Sequence, residues 1–285
     1  MDGGVRAAFF IGADVAATVA ALFIYPVKGC RGITLSSARV TERGLEHDRE
    51  WMVVDADGRF VTQRTEPRLA TITTAITPTS LLLTAPGARP LALPLEQSGV
   101  TSPVTVWHDT VPGIDQGPAA AAWLSARLAA AYRLVRFDPA AKRRCNPMYA
   151  GTSGAHTAFA DGYPLLVLSE ASLDDLNGRL VTPLPIDRFR PNLVLSGIDA
   201  YDEDHIDQIV VDEVALKMVK PCTRCQVTTI DQRTLERGLE PLHTLAGYRH
   251  NALLDGVAFG MNAIVTAGVG ATLSSAAPVA HSYRF

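Results

Sequence analysis

The sequence predicts an α+β fold that is mainly β, barrel-like or sandwich-like, with a few peripheral helices. Three observations predict it. The 285 residues include 22 Gly and 18 Pro and only 19% charged residues, a loop-rich and strand-rich composition rather than that of a helical bundle. Short β-branched runs, broken by Asp-Gly, Pro-Thr and Pro-Gly turns, fill the first hundred residues. Helical patterning is confined to a few stretches from Pro118 onward.

Taken in order, Thr18 to Tyr25 is an apolar run ending in β-branched and aromatic residues, and it reads as the first strand. Residues 1–16 are expected to form a loose extension. The longer apolar run from Arg6 is interrupted by Asp14, so neither half reaches the roughly 20 residues a membrane span needs. A cytoplasmic location with no membrane is therefore expected. Trp51 to Val54 and Arg59 to Thr62 flank "DADG", a hairpin signal. "LATITTAITPTSLLLTAPG" and "RPLALPL" add strands, and "VTVWHDTV" another, with Trp107 a core or interface aromatic. From Pro118, the alanine-rich "PAAAAWLSARLAAAYRL" sets Trp123, Leu124, Leu128 and Tyr132 near one helical face, with Asp115 ahead of its start. Leu165 to Leu168 reads as a buried strand followed by a helix, for which Ser172 and Asp175 have capping-box spacing. "PNLVLSG", "QIVVDEVALKMVK" and "CQVTTID" read as strands. "RTLERGLEPLHTLAGYR" reads as a polar loop with a short helix, and the C-terminal stretch as two more strands. The domains predicted are 17–135 and 136–285.

The net charge of −3 offers no general surface for nucleic acid, although a few converging arginines can still hold a phosphate. Four cysteines at 30, 145, 222 and 225 are too few and too unevenly spaced for a secreted disulfide scaffold. Cys222 and Cys225 match C-x-x-C. A redox pair needs a helix N-terminus behind it, and "QVTTI" reads as a strand. A structural zinc site needs four ligands, and His243 and His250 are poorly spaced to complete one. A single thiolate beside Arg224 remains, against the ordinary alternative of small core cysteines. Basic residues stand at strand ends beside Gly or Pro: Lys28, Arg31, Arg49, Arg64, Arg68, Arg188 and Arg190. Asp161, in an Asp-Gly-Tyr-Pro turn, could accept hydrogen bonds from a cofactor ring. No G-x-G-x-x-G, P-loop or H-E-x-x-H motif appears, which argues against dinucleotide oxidoreductases, P-loop NTPases and common zinc proteases.

"YPVKGCRG", "DREWMVVDADGRFVTQRTEPRLA", "FADGYPLLVLSEASLDDLN", "RFRPNLVLSG" and "PCTRCQVTTID", in this order, resemble the MOSC family. The resemblance is to the branch with an N-terminal β-barrel domain, which includes the mitochondrial amidoxime-reducing components and bacterial relatives, and it runs from about residue 18 to 268. It implies a β-barrel-like MOSC domain intertwined with a β-rich N-terminal domain, and a molybdenum cofactor (Mo-molybdopterin). It also implies reduction of N-hydroxylated compounds with electrons from a separate protein of ferredoxin, flavoprotein or cytochrome type. By the same resemblance Cys225 is the metal ligand and catalytic residue, and Cys222 is not a ligand. Lys28, Gly29, Arg49, Asp161, Arg190, Asn192, Arg224 and Asn262 match positions around the cofactor. Gly29 departs from a serine common in the branch, and "GVGATLSSAAPV" from its usual C-terminal pattern. Other readings stay open: a sulfur or cofactor carrier with a persulfide on Cys225, or an inert partner-binding module.

Overall fold

The computed structural model describes residues 17–96 and 99–284; the expected extension over residues 1–16 lies outside the described residues. The chain opens with β1 (Thr18–Ile24), β2 (Ile33–Leu35), β3 (Ser37–Thr41), β4 (Gly44–Leu45) and β5 (Trp51–Val54). A meander of β6 (Thr73–Ile76), β7 (Ser80–Thr84) and β8 (Leu91–Pro94) follows, then β9 (Thr101–Val106), β10 (Asp109–Asp115), α1 (Gly117–Leu128) and β11 (Arg133–Phe137). Short elements β12 (Arg143–Arg144), α2 (Pro147–Ala150) and β13 (His156–Thr157) lead to β14 (Leu165–Ser169), α3 (Glu170–Arg179) and β15 (Leu193–Ser196). The remainder is β16 (Ile206–Val211), β17 (Val214–Thr223), α4 (Leu242–Ala246), β18 (His250–Asn251), β19 (Gly256–Ala267), β20 (Thr272–Ser274) and β21 (Ala280–Tyr283).

The fold is mainly β, as expected. Its largest sheet runs β2-β1-β15-β14-β19-β17-β16-β21, with β18 paired to β19, and this path is open rather than closed among the described residues. β14 and β15 are parallel and joined through α3, while the other pairs of this sheet are antiparallel. A second sheet runs β5-β11-β10-β9 and a third β6-β7-β8. Because β1 pairs with β15, Thr18 lies opposite Ser196. Val19, Leu22 and Ile24 therefore share one core with Leu165, Val167, Leu193, Leu195 and Met261. A separate core joins Trp51, Leu69, Leu81 and Leu83 to Leu124 and Leu128 of α1. Each such fully buried side chain contributes roughly 2 kcal/mol of transfer free energy.

Four local expectations are corrected. "VTVWHDTV" is a tight hairpin rather than one strand, since Val106 pairs with Asp109 across Trp107 and His108. The strand expected at Arg59 to Thr62 is reduced to two isolated bridges, Phe60 with Val54 and Arg59 with Thr105, with Val61 N–H donating to the Val53 carbonyl. The cap of α3 is Ser169, three residues earlier than expected: its hydroxyl accepts from Ser172 N–H at 3.0 Å. The fourth concerns Gln226–Thr229, a 3-10 helix rather than a strand. Elsewhere the expected start of α1 holds, with Gly117 N–H donating to the Asp115 carboxylate at 2.6 Å.

Gly260 shows how tightly β19 is built. Its φ is +81°, and a Cβ there would lie 2.5 Å from Leu168 Cδ2 and 2.8 Å from the Val167 carbonyl oxygen. Both backbone strain and overpacking oppose a side chain at this position. Gly260→Ala is expected to cost at least about 2 kcal/mol, read as a fall in the urea midpoint without a change in slope.

Candidate functional site

The chain breaks its regular elements where side chains with chemistry collect. Lys28 and Gly29 follow β1, Arg49 precedes β5, Asp161 precedes β14, Arg190 and Asn192 precede β15, and Arg224 and Cys225 follow β17. These eight, with Asn262 of β19, line one cleft of about 990 Å³ counted to its open mouth. The nine residues singled out from the sequence are thus brought together. Arg64 and Arg188 also line the cleft, whereas Arg31 and Arg68 are turned to structural work. Arg31 donates to the Ala70 and Gln232 carbonyls, and Arg68 pairs with Glu66.

The cleft is cationic, and its cations are held from behind. Arg49 donates to Asp48 Oδ2 at 2.6 Å, to Asn192 Oδ1 at 2.9 Å and to the Arg190 carbonyl at 3.0 Å. Asp48 is itself fixed by the backbone N–H of Tyr25. The Arg49 and Arg190 guanidiniums lie 4.3 and 4.2 Å from the Tyr25 ring centroid, within cation–π range. Arg190 also donates to the Cys30 carbonyl at 2.7 Å, and its left-handed backbone (φ 58°) turns the chain from the 3-10 helix Ile186–Phe189 into β15. Arg188 pairs with Asp231 at 2.9 Å. Asn192 is 1% exposed, and its amide is committed to Arg49, Leu166 N–H and the Phe23 carbonyl. Its part in the site is therefore to position Arg49. Asn262 donates to the Lys220 carbonyl at 3.2 Å.

Among the described residues, Lys28 and Asp161 form the one ion pair in which both partners line the cleft. Lys28 Nζ donates to Asp161 Oδ1 at 2.5 Å and to the Phe159 carbonyl at 2.8 Å. Burial lowers the Lys28 ammonium from its usual value, and Asp161 draws it back up. Enclosure by the cleft walls raises the Asp161 carboxyl, but Lys28, the Trp107 indole N–H and Arg49 together hold it well below the usual carboxylate range.

The cysteines separate clearly. All four are free. Burial pushes the Cys30 thiol up to about 12 and the Cys145 thiol up to about 11, so both stay protonated and inert at neutral pH. Cys225 is exposed and stands at the head of the 3-10 helix Gln226–Thr229, with its carbonyl accepting from Thr228 N–H and Oγ1. The expected partnership of Arg224 with Cys225 is corrected. Arg224 donates to the sulfur of half-buried Cys222 at 3.0 Å and to the Phe189 carbonyl at 2.6 Å. Its Nε is buried with no partner. Trp107, expected as a core or interface aromatic, packs against the core of Met52, Val104 and Phe159 and also lines the cleft, where it donates to Asp161 Oδ1 at 3.0 Å. Its position in a two-residue turn was the signal available for finding it. Nothing in the sequence marked Tyr25 as the ring beneath two arginines.

Comparison with known proteins supplies a family. A profile of the MOSC N-terminal beta barrel domain matches residues 16–131, and a profile of the MOSC domain matches residues 155–273. Mitochondrial amidoxime-reducing component 1 of Homo sapiens is 40% identical over 242 residues, covering 81% of this chain and 72% of that protein. Component 1 of Mus musculus is 40% identical over 243 residues, with 81% and 71% covered. Component 2 of Rattus norvegicus is 38% identical over 245 residues, with 81% and 72% covered.

The Lys28–Asp161 pair sets a pH dependence. The Asp161 pKa is depressed on folding, so its contribution is complete above the unfolded value of about 4 and is lost as pH falls through the lowered folded value. The stability gap between the wild type and Asp161→Asn is expected to stay constant from neutral pH down to about 5 and to narrow below about 4. Urea titrations across that range check it; a gap that widens on acidification would contradict the sign.

Proposed function

The chain belongs to the MOSC family, on the branch of the mitochondrial amidoxime-reducing components, and from that premise we propose that it is a molybdenum-cofactor-dependent reductase of N-hydroxylated compounds. The observation that carries the reading is one exposed thiol, Cys225, in a cleft lined by six cationic side chains: Lys28, Arg49, Arg64, Arg188, Arg190 and Arg224. Cations in this number suit an anionic, phosphate-bearing ligand, and a thiolate suits a soft metal. Among the described residues no group of three or more His, Cys, Asp or Glu stands close enough to hold a metal ion. Cys225 would therefore supply one bond, and the remaining donors would arrive with an organic carrier. The open Cys225 thiol on the cleft wall fits that arrangement.

When bound, molybdopterin supplies dithiolene sulfurs and a metal able to exchange two electrons with a substrate. The protein's own residues do the rest. Arg49 and Arg190, locked over Tyr25, and Lys28 would hold the phosphate and pterin edge by charge-assisted contacts. Asp161 Oδ1 already accepts from Lys28 and Trp107, which leaves Oδ2 to accept a ring N–H. Asn192 acts through Arg49. In the overall reaction the N–O bond breaks and two electrons and two protons are taken up: one proton joins the hydroxyl, which leaves as water, and the nitrogen gains the other. The electrons would come from a separate donor protein of ferredoxin, flavoprotein or cytochrome type. Among the described residues no helix is long and apolar enough to cross a membrane.

Protein produced in a host that makes molybdopterin is expected to carry about one molybdenum per chain by elemental analysis, consistent with a single thiolate ligand. Cys225→Ala is expected to lose the metal and all turnover of an amidoxime while keeping the wild-type circular dichroism, and Cys222→Ala to keep the metal. Wild-type protein without molybdenum overturns the reading. Transfer of sulfur from Cys225 without reduction of an amidoxime would favour the carrier instead.

A further inference from the structure

Among the described residues, the rings of Trp51, Phe137, Phe159, Phe189 and Phe259 are buried outright. Phe60 and Trp107 are different. Both are half-buried and both line the cleft, with ring centroids 5.0 Å apart and planes inclined at 55°. Trp107 holds a left-handed φ of 56° in the two-residue turn between β9 and β10, where Asn or Gly is the usual occupant. A bulky side chain in that conformation is strained, and it persists only because its surroundings fix it. The indole N–H donates to Asp161 Oδ1, and the Arg64 guanidinium stacks 4.7 Å from the ring centroid. Phe60 lies 5.6 Å from the Lys28 ammonium.

The same wall is tied to the working thiol. The Arg64 carbonyl accepts from the Arg237 guanidinium. Arg237 bridges to Ile230, which directly follows the 3-10 helix headed by Cys225. Phe60, Trp107 and Arg64 are thereby fixed between the Lys28–Asp161 pair and the loop that carries Cys225. A strained tryptophan, a half-buried phenylalanine and a guanidinium over the tryptophan make a fixed aromatic surface lining the cleft. Such a surface gains most from a flat conjugated ligand, through offset stacking, and little from a short alkyl group.

We infer that Phe60, Trp107 and Arg64 form a specificity wall that selects flat, conjugated N-hydroxylated substrates, aryl amidoximes for instance, over their aliphatic counterparts. The inference rests on the reductase reading above. Arg64 keeps the indole ring in place, while the hydrogen bond to Asp161 sets the ring's angle.

The test uses cofactor-loaded protein and compares benzamidoxime with acetamidoxime for the wild type, Trp107→Ala, Trp107→Phe and Phe60→Leu. The wild type is expected to prefer the aryl substrate. In Trp107→Ala the aryl-over-alkyl ratio of kcat/KM is expected to fall roughly ten-fold through KM, with part of the preference restored in Trp107→Phe. Phe60→Leu leaves the Asp161 hydrogen bond alone and is expected to lower the ratio as well, which covers the case in which Trp107→Ala fails to fold. A ratio unchanged in both Phe60→Leu and the Trp107 variants overturns the inference. So does loss of bound molybdopterin from Trp107→Ala, measured by pterin fluorescence after oxidative release, because the wall would then serve the cofactor. If the wild type reduces neither amidoxime, the reductase reading fails by itself, and calorimetric titration with benzamide and acetamide, neutral analogues without an N–O bond, decides the wall. Preferential binding of benzamide that is lost in Trp107→Ala and weakened in Phe60→Leu supports it, and equal binding of the two amides overturns it.

Discussion

The cleft depends on one buried carboxamide. Asn192 Oδ1 accepts from both Arg49 and the backbone of Leu166, and its Nδ2 donates to the Phe23 carbonyl. With its backbone bonded to Phe23 and Leu166 as well, it ties β1 to β14 at the end of β15. The same group aims the Arg49 guanidinium and so fixes the cation that stacks on Tyr25. Were the carboxamide removed, several buried polar groups would lose their partners together, each at about 1–3 kcal/mol. Sheet continuity and site electrostatics are one structure at this point.

Overall charge and site charge are decoupled. The chain is net negative, with 29 acidic and 26 basic side chains. Yet six cations line the cleft, and the carboxylates that steady two of them, Asp48 and Asp231, do not line it. Acids placed behind the guanidiniums fix their geometry while leaving N–H edges directed at a ligand. The local field is what an anion meets, whatever the sum over the surface.

Sequence reading recovered the parts of this protein that rest on local pattern. The β-rich class, the run that becomes β1, the meander β6 to β8 and the start of α1 all follow from turn residues and periodicity. Ordered motifs assembled the nine cleft residues, although spacing alone could not have shown that they converge. The misses have physical causes. Gln226–Thr229 carries strand-forming residues, but its carbonyl and hydroxyl bonds close a 3-10 turn at Cys225. Arg224 adjoins Cys225 in sequence yet reaches Cys222, because the side chain of residue i+2 comes back over the strand end. The sequence left Trp107 as a core or interface aromatic and could not show its contact with Asp161, because its place in a hairpin turn depends on the pairing of two strands. Ser169 caps α3 in place of Ser172 because Glu203, 34 residues away, organises both hydroxyls.

The pairing of β1 with β15 also orders events in time. Thr18 and Ser196 are 178 positions apart, and their side-chain hydroxyls meet at 2.8 Å. On the ribosome the first strand must wait, unpaired on that edge, until the chain has been extended past Leu193. At synthesis rates of about 5–20 residues per second that wait lasts on the order of 10–30 seconds. Lys28 and Arg49 take their final places only when the second half arrives, so a ligand held by both halves would meet its site late and could act as a clasp on the newly closed sheet.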